Sequence, residues 1–145
     1  MQGRRGFTII ELLTVTIIIG LLASIALPKL ASTRERAQVA AMVSDLRNLM
    51  LLQEAFYADF NDYAGAIGAT MVPGTGGGGS VAFTPSPGNL VTILYRGGAA
   101  GPGWAATAQN AGVATATRDE CGIFIGPVAN SPNAAVTEPG VAVCY

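Results

Sequence analysis

The chain has 145 residues, of which half are hydrophobic and only 12% are charged, with a formal net charge of -1. It contains no His and two Cys, which excludes a tetrahedral Cys/His zinc site and any Ser/His or Cys/His nucleophilic pair. Acids and bases are scattered without a basic stripe, so nucleic acid is not an expected ligand.

Mean hydropathy is +0.45, too apolar for an ordinary soluble domain of this length, and the excess is concentrated near the start. Met1 to Gly6 is a short basic leader with Arg4 and Arg5. No ionisable residue lies between Leu12 and Pro28, a stretch that as a helix covers about 26 Å, close to the lower limit for crossing a bilayer. Residues 7–28 are therefore expected to form an apolar, membrane-inserted helix, with Thr14, Thr16, Gly20 and Ser24 as its soft positions. In residues 29–60 the pattern becomes one-sided: Val39, Met42, Leu46, Leu49, Leu52, Phe56 and Phe60 recur at steps of three or four, and Arg34, Gln38, Asp45, Asn48, Glu54 and Asp59 mostly take other faces. One long helix, apolar and then amphipathic, follows.

Residues 61–145 have a different texture. Gly and Pro become frequent, and "PGTGGGGS" (73–80) reads as a flexible loop. It lacks the Lys-Ser/Thr ending of a phosphate-binding loop. Six β-prone runs are separated by turn residues: 81–84, 90–96, 104–109, 113–117, 121–126 and 141–144. They suggest an antiparallel sheet that needs an apolar cover on one face, which the one-sided half of the helix can provide. The expected class is α+β. Trp104, Phe124 and Tyr145 are expected to pack on sheet faces. Asp59, Asp62, Asp119 and Glu120 have oxygen ligands suited to calcium but no EF-hand spacing, and read as solvated charges, with no metal assigned. Cys121 and Cys144, an even pair in a translocated chain, read as one disulfide; its loop would stabilise by about 3 kcal/mol and place the C-terminal part outside the cytoplasm.

The carboxylate of Glu11, inside the apolar run, needs an explanation. Thr8 three residues before it matches a Ser/Thr-x-x-Glu capping box, worth about 1 kcal/mol. Burial of a carboxylate at membrane depth costs about 2.5–3.5 kcal/mol, so a cap alone does not clearly offset a deep position, and a cationic partner would. Two other readings of the N-terminus compete: a secretory signal cut near "SIA" (24–26), and a plain anchor. The amphipathic pattern starting directly after Pro28 argues against the first.

"RRGFTIIELLTVTIIIGLLASIALP" (4–28) resembles the class III signal of type IV pilins and of the related pseudopilins of type II secretion. "QEAFYADFNDYA" (53–64), "GWAATAQN" (103–110) and the late Cys pair resemble later parts of the pilin chain. The resemblance implies the type IV pilin fold, a long helix packed on a small antiparallel sheet and closed by the Cys121–Cys144 disulfide. It implies that a prepilin peptidase cuts between Gly6 and Phe7 and methylates the new amine of Phe7. It implies that Glu11 meets the Phe7 ammonium of a neighbouring subunit in a filament core. Gly20 and Pro28 mark a helix break: alone they read as a kink, while the family's assembled pili show this stretch unwound.

The implied protein is a structural subunit, not an enzyme, without a cofactor. It resides in the bacterial inner membrane, in contact with lipid, and then in an extracellular pilus made of copies of itself, by way of an assembly platform and ATPase. Adhesion, motility or DNA uptake are the family's uses of such a fibre. The alternatives are a type II secretion pseudopilin, whose major form binds calcium and generally lacks the disulfide, and a monomeric membrane-anchored binding protein.

Overall fold

The computed structural model describes residues 6–97, 102–114 and 118–145. Helix α1 spans Ile9–Phe60. It ends where Asn61 turns into the left-handed region (φ 53), its amide donating to Tyr57 O at 2.8 Å. Asn tolerates that conformation and closes a helix by satisfying a late carbonyl. Strands follow in the order β1 (Ala66–Gly68), β2 (Ser80–Ala82), β3 (Asn89–Tyr95), β4 (Trp104–Asn110), β5 (Glu120–Ile125) and β6 (Val143–Cys144), with a 3-10 turn at Val128–Asn130. The chain divides into two compact units, the first ending at Arg34 and the second running Glu35–Tyr145.

The first unit is a helix without a core. Every large apolar side chain from Phe7 to Leu30 is more than half exposed, from 87% at Phe7 to 51% at Val15 and Ile18. As expected of one long helix, α1 continues through Gly20 and Pro28. Proline removes one amide donor, but the remaining ladder holds the helical path.

The second unit has its core between α1 and a four-stranded antiparallel sheet of order β3-β4-β5-β6. Met42, Leu46, Leu49 and Phe56 from α1 are fully buried with Val91, Ile93, Trp104, Ala106, Ala108 and Ile123 from the sheet. On its opposite face, Ala105 and Phe124 form a second cluster with Val136, which carries the chain back over β4 and β5. Alternation of side chains along β4 and β5 explains the two clusters, since neighbours in a strand point to opposite faces.

Several sequence expectations need correction. The run 81–84 contributes only to β2, which pairs in parallel with β1, a strand that its sequence "AIG" did not announce. Residues 113–114 are not in a strand, and the rest of 113–117 lies outside the described residues. Asp45 and Gln53 are buried on the core side of α1, and Phe60 is 37% exposed. Asp45 is tolerated because it accepts from Ser86 N (2.8 Å), Ser86 Oγ (2.8 Å) and Asn89 Nδ2 (2.7 Å). Gln53 exchanges two bonds with the backbone of Ala64, at 2.8 and 2.9 Å. Both of these buried side chains have their partners, which removes most of the cost of burial.

The glycine run is also not a free loop. Asp62 accepts from Tyr63 N (2.8 Å), Gly76 N (2.6 Å) and Tyr95 Oη (3.0 Å), latching the run to the helix end and to β3. Gly77 lies against the Tyr95 ring and Gly79 against the Phe56 ring, where any side chain would collide. Glycine is required there by close approach, and at Gly76 and Gly77 also by positive φ.

Candidate processing and assembly site

Gly6 and Phe7 precede α1 and are exposed; Arg4 and Arg5 of the leader lie outside the described residues. Thr8 and Glu11 form the expected capping box. The Thr8 amide donates to Glu11 Oε2 at 2.8 Å, the Thr8 hydroxyl donates to the same oxygen at 2.9 Å, and the Glu11 amide donates to Thr8 Oγ1 at 3.3 Å. Two helix-start amides are thereby satisfied, and the carboxylate sits at the positive end of the helix dipole. Both Thr8 bonds go to Oε2. Among the described residues no donor reaches the second carboxylate oxygen.

The rest of the segment suits an environment without water. Thr14 Oγ1 donates to Ile10 O (2.8 Å), Thr16 Oγ1 to Leu13 O (2.9 Å) and Ser24 Oγ to Leu21 O (2.8 Å), so each hydroxyl is satisfied within its own helix. A Cβ at Gly20 would meet nothing within 4 Å. By length and composition α1 is able to cross a membrane.

Cys121 and Cys144 are joined in a disulfide and are direct partners in the β5–β6 register. Of the four acids considered for calcium, Asp62 serves as the latch described above. Among the described residues no group of three or more His, Cys, Asp or Glu is placed to hold a metal ion. The residues that the sequence did not single out are Asp45, Gln53 and Asn61. A carboxylate and an amide at core spacing on an amphipathic helix were a signal for the first two, and an Asn before a change of texture was one for the third.

These features define a class: a chain with an exposed apolar helix, one capped carboxylate near the start of that helix, and a sheet unit closed by a disulfide. Residues 1–27 match the family model described as the prokaryotic N-terminal methylation motif. The chain is 38% identical over 63 residues to the type IV wide pilus major component PilA4 of Thermus thermophilus, covering 43% of this chain and 48% of that protein. It is 37% identical over 67 residues to the type IV major pilin protein PilA of Myxococcus xanthus, covering 44% of this chain and 30% of the relative. It is also 46% identical over 46 residues to type II secretion system core protein G of Klebsiella pneumoniae, covering 32% and 33%. The chain thus spans less than half the length of these relatives. No solved structure matches it significantly. Motif, fold and relatives together support the type IV pilin family.

Proposed function

We propose that this chain is a pilin, a structural subunit that polymerises through its N-terminal helix into a type IV pilus on the cell surface. A prepilin peptidase hydrolyses the Gly6–Phe7 bond and methylates the freed amine of Phe7. The helix of residues 7–28 holds the subunit in the inner membrane until an assembly platform and its ATPase add it to the filament. There the Phe7 ammonium of one subunit pairs with Glu11 of the next, using the oxygen that Thr8 leaves free. The stretch from Gly20 to Pro28 extends during assembly, and the sheet domain with its Cys121–Cys144 disulfide faces outward.

The single observation that carries this reading is the exposure of all large apolar side chains from Phe7 to Leu30, with one carboxylate among them. Covering each side chain contributes about 1.5–3 kcal/mol, enough for helix packing to dominate cohesion, while a carboxylate in such a core demands a cation. Intact mass and amino-terminal sequencing of native protein, with electron microscopy of sheared fibres, test it. A chain starting at N-methylated Phe7 within fibres is expected; an uncut, monomeric membrane protein overturns the proposal.

The matches to secretion protein G favour a second reading, a pseudopilin of a type II secretion system. Deletion separates the two. Loss of surface fibres with normal protein secretion supports the pilus, and loss of secretion supports the pseudopilus.

A further inference from the structure

Beside Lys29 the surface of α1 carries a groove of about 560 Å³, lined by Ala23, Ala26, Leu27, Lys29, Leu30 and Thr33. At about 100° per residue these positions fall within an arc of about 160°, with Leu27 at one edge and Lys29 at the other. Ala23 and Ala26, each with a single side-chain carbon, leave the floor low between the longer chains. Polarity rises along the axis: Ala23, Ala26 and Leu27 lie at the end nearer the apolar run, and Lys29 and Thr33 at the other, where the Thr33 hydroxyl donates to Lys29 O at 2.9 Å. Lys29 is exposed and carries the only charge among the lining residues. Glu35, the nearest acid along the chain, comes six positions later, about 120° away around the helix.

We infer that this groove seats one anionic glycerophospholipid of the bilayer, with an acyl chain along Ala23, Ala26 and Leu30 and the phosphate against the Lys29 ammonium and the Thr33 hydroxyl. The inference rests on the membrane-held stage of the function proposed above and adds a lipid partner to it. Level along the axis favours this occupant. Counted from Leu12, Lys29 comes about 26 Å along the helix, so with residues 7–28 in hydrocarbon it stands at headgroup level. Ala26 and Ala23 then lie about 5 and 9 Å deeper, among the acyl chains. A lysine at such a boundary lays its methylene stem on apolar surface and keeps its charge at the interface. Charge selects the headgroup: a zwitterionic lipid brings a cation of its own beside Lys29, while an anionic one does not. Extension of Gly20 to Pro28 during assembly would separate Ala23 and Ala26 from Lys29, so the lipid leaves as the subunit joins the fibre.

The experiment uses the full chain reconstituted in phosphatidylcholine vesicles, with spin-labelled phosphatidylglycerol or spin-labelled phosphatidylcholine as the probe. Electron spin resonance gives the share of each probe immobilised against the protein. Wild type should hold phosphatidylglycerol about fivefold more strongly than phosphatidylcholine at low salt. Lys29→Gln removes the charge and Ala26→Leu fills the floor, and either should bring the ratio close to one. Ser24→Leu, which adds bulk at the same level on the other side of α1, should match wild type. No preference in wild type overturns the site, as does a preference that survives Ala26→Leu, since the charge then acts without a seat. Dimers cross-linked through Ala26→Cys in the vesicles would place a second copy in the groove and overturn it as well. Each of these results leaves the pilin reading standing. A chain that stays out of the vesicles altogether overturns the membrane-held stage of that reading together with the site.

Discussion

Gly79 lies so close to Phe56 that a Cβ built on the glycine would come within 2.5 Å of the phenylalanine Cζ. Phe56 is fully buried at the end of α1's core face, so its ring cannot swing into solvent. Replacing Gly79 with Ala is expected to overpack the site and destabilise the domain by about 1–3 kcal/mol. Gly78→Ala, where the nearest atom is Thr75 O at 3.2 Å and no aromatic ring is met, should cost clearly less. Thermal denaturation of both variants checks the difference; equal melting temperatures would show that the glycine run does not pack on the ring.

Cys121 and Cys144 close a separation of 23 residues, and their Cα atoms are 3.8 Å apart across β5 and β6. β6 has only two residues, so the covalent bond, with Tyr145 N donating to Glu120 O at 3.0 Å, holds the C-terminus on the sheet. Loss of the bond in a Cys121→Ser, Cys144→Ser double variant should cost about 3 kcal/mol by loop entropy. Limited proteolysis should then cut first in the segment after residue 126. Unchanged stability would assign β6 to the backbone pairing alone.

How much of this was legible depended on what the burial rule needs. The apolar segment and the end of α1 at Phe60 could be read because periodicity and the change to Gly and Pro are local signals. β3 and β5 could be read because β-branched and aromatic residues are dense there, and β4 because Trp104 and Thr107 stand in a run bounded by turn residues. β1 could not: "AIG" has a single β-branched residue, and its pairing with β2 is parallel, set by the latch of Asp62 on the glycine run rather than by its own pattern. Asp45 was misplaced for a related reason. The donors that make its burial tolerable, Ser86 and Asn89, lie 41 and 44 residues away, and no window of local sequence contains them. At the N-terminal site, Thr8 and Glu11 are three apart and their reciprocal bonds were legible, as was the run of one long helix past Pro28, because the apolar and amphipathic patterns meet there without a polar spacer.

Asp45 is expected to be the most sensitive polar position of the domain. Its carboxylate is 4% exposed and takes three donors from the segment that leads into β3. Asp45→Ala leaves the Ser86 amide and the Asn89 side chain without their acceptor, at a cost of about 1–3 kcal/mol. Asp45→Asn keeps the shape but has one acceptor oxygen, so it should fall between wild type and Ala. Urea denaturation of the three proteins gives the order, and an Asn variant weaker than Ala would contradict the acceptor role.

Alkaline pH should loosen the domain through its tyrosines. Burial and then the nearby Glu54 carboxylate push the Tyr63 hydroxyl up from its ordinary 10.0 to about 12, and burial followed by Glu120 does the same for Tyr145, to about 12. Tyr95 is raised in the same direction by burial and by its bond to Asp62. In the unfolded chain these hydroxyls ionise near 10, before they do in the folded one, so the unfolded state loses protons first. Their contribution to stability is therefore fully present below pH about 10 and is lost as pH rises toward about 12. Denaturation midpoints measured across that window should fall, with a shallower fall in Tyr63→Phe. A wild-type midpoint that stays level between pH 10 and 12 would mean that these hydroxyls ionise alike in both states, and that the Tyr63–Glu54 contact does not persist in solution.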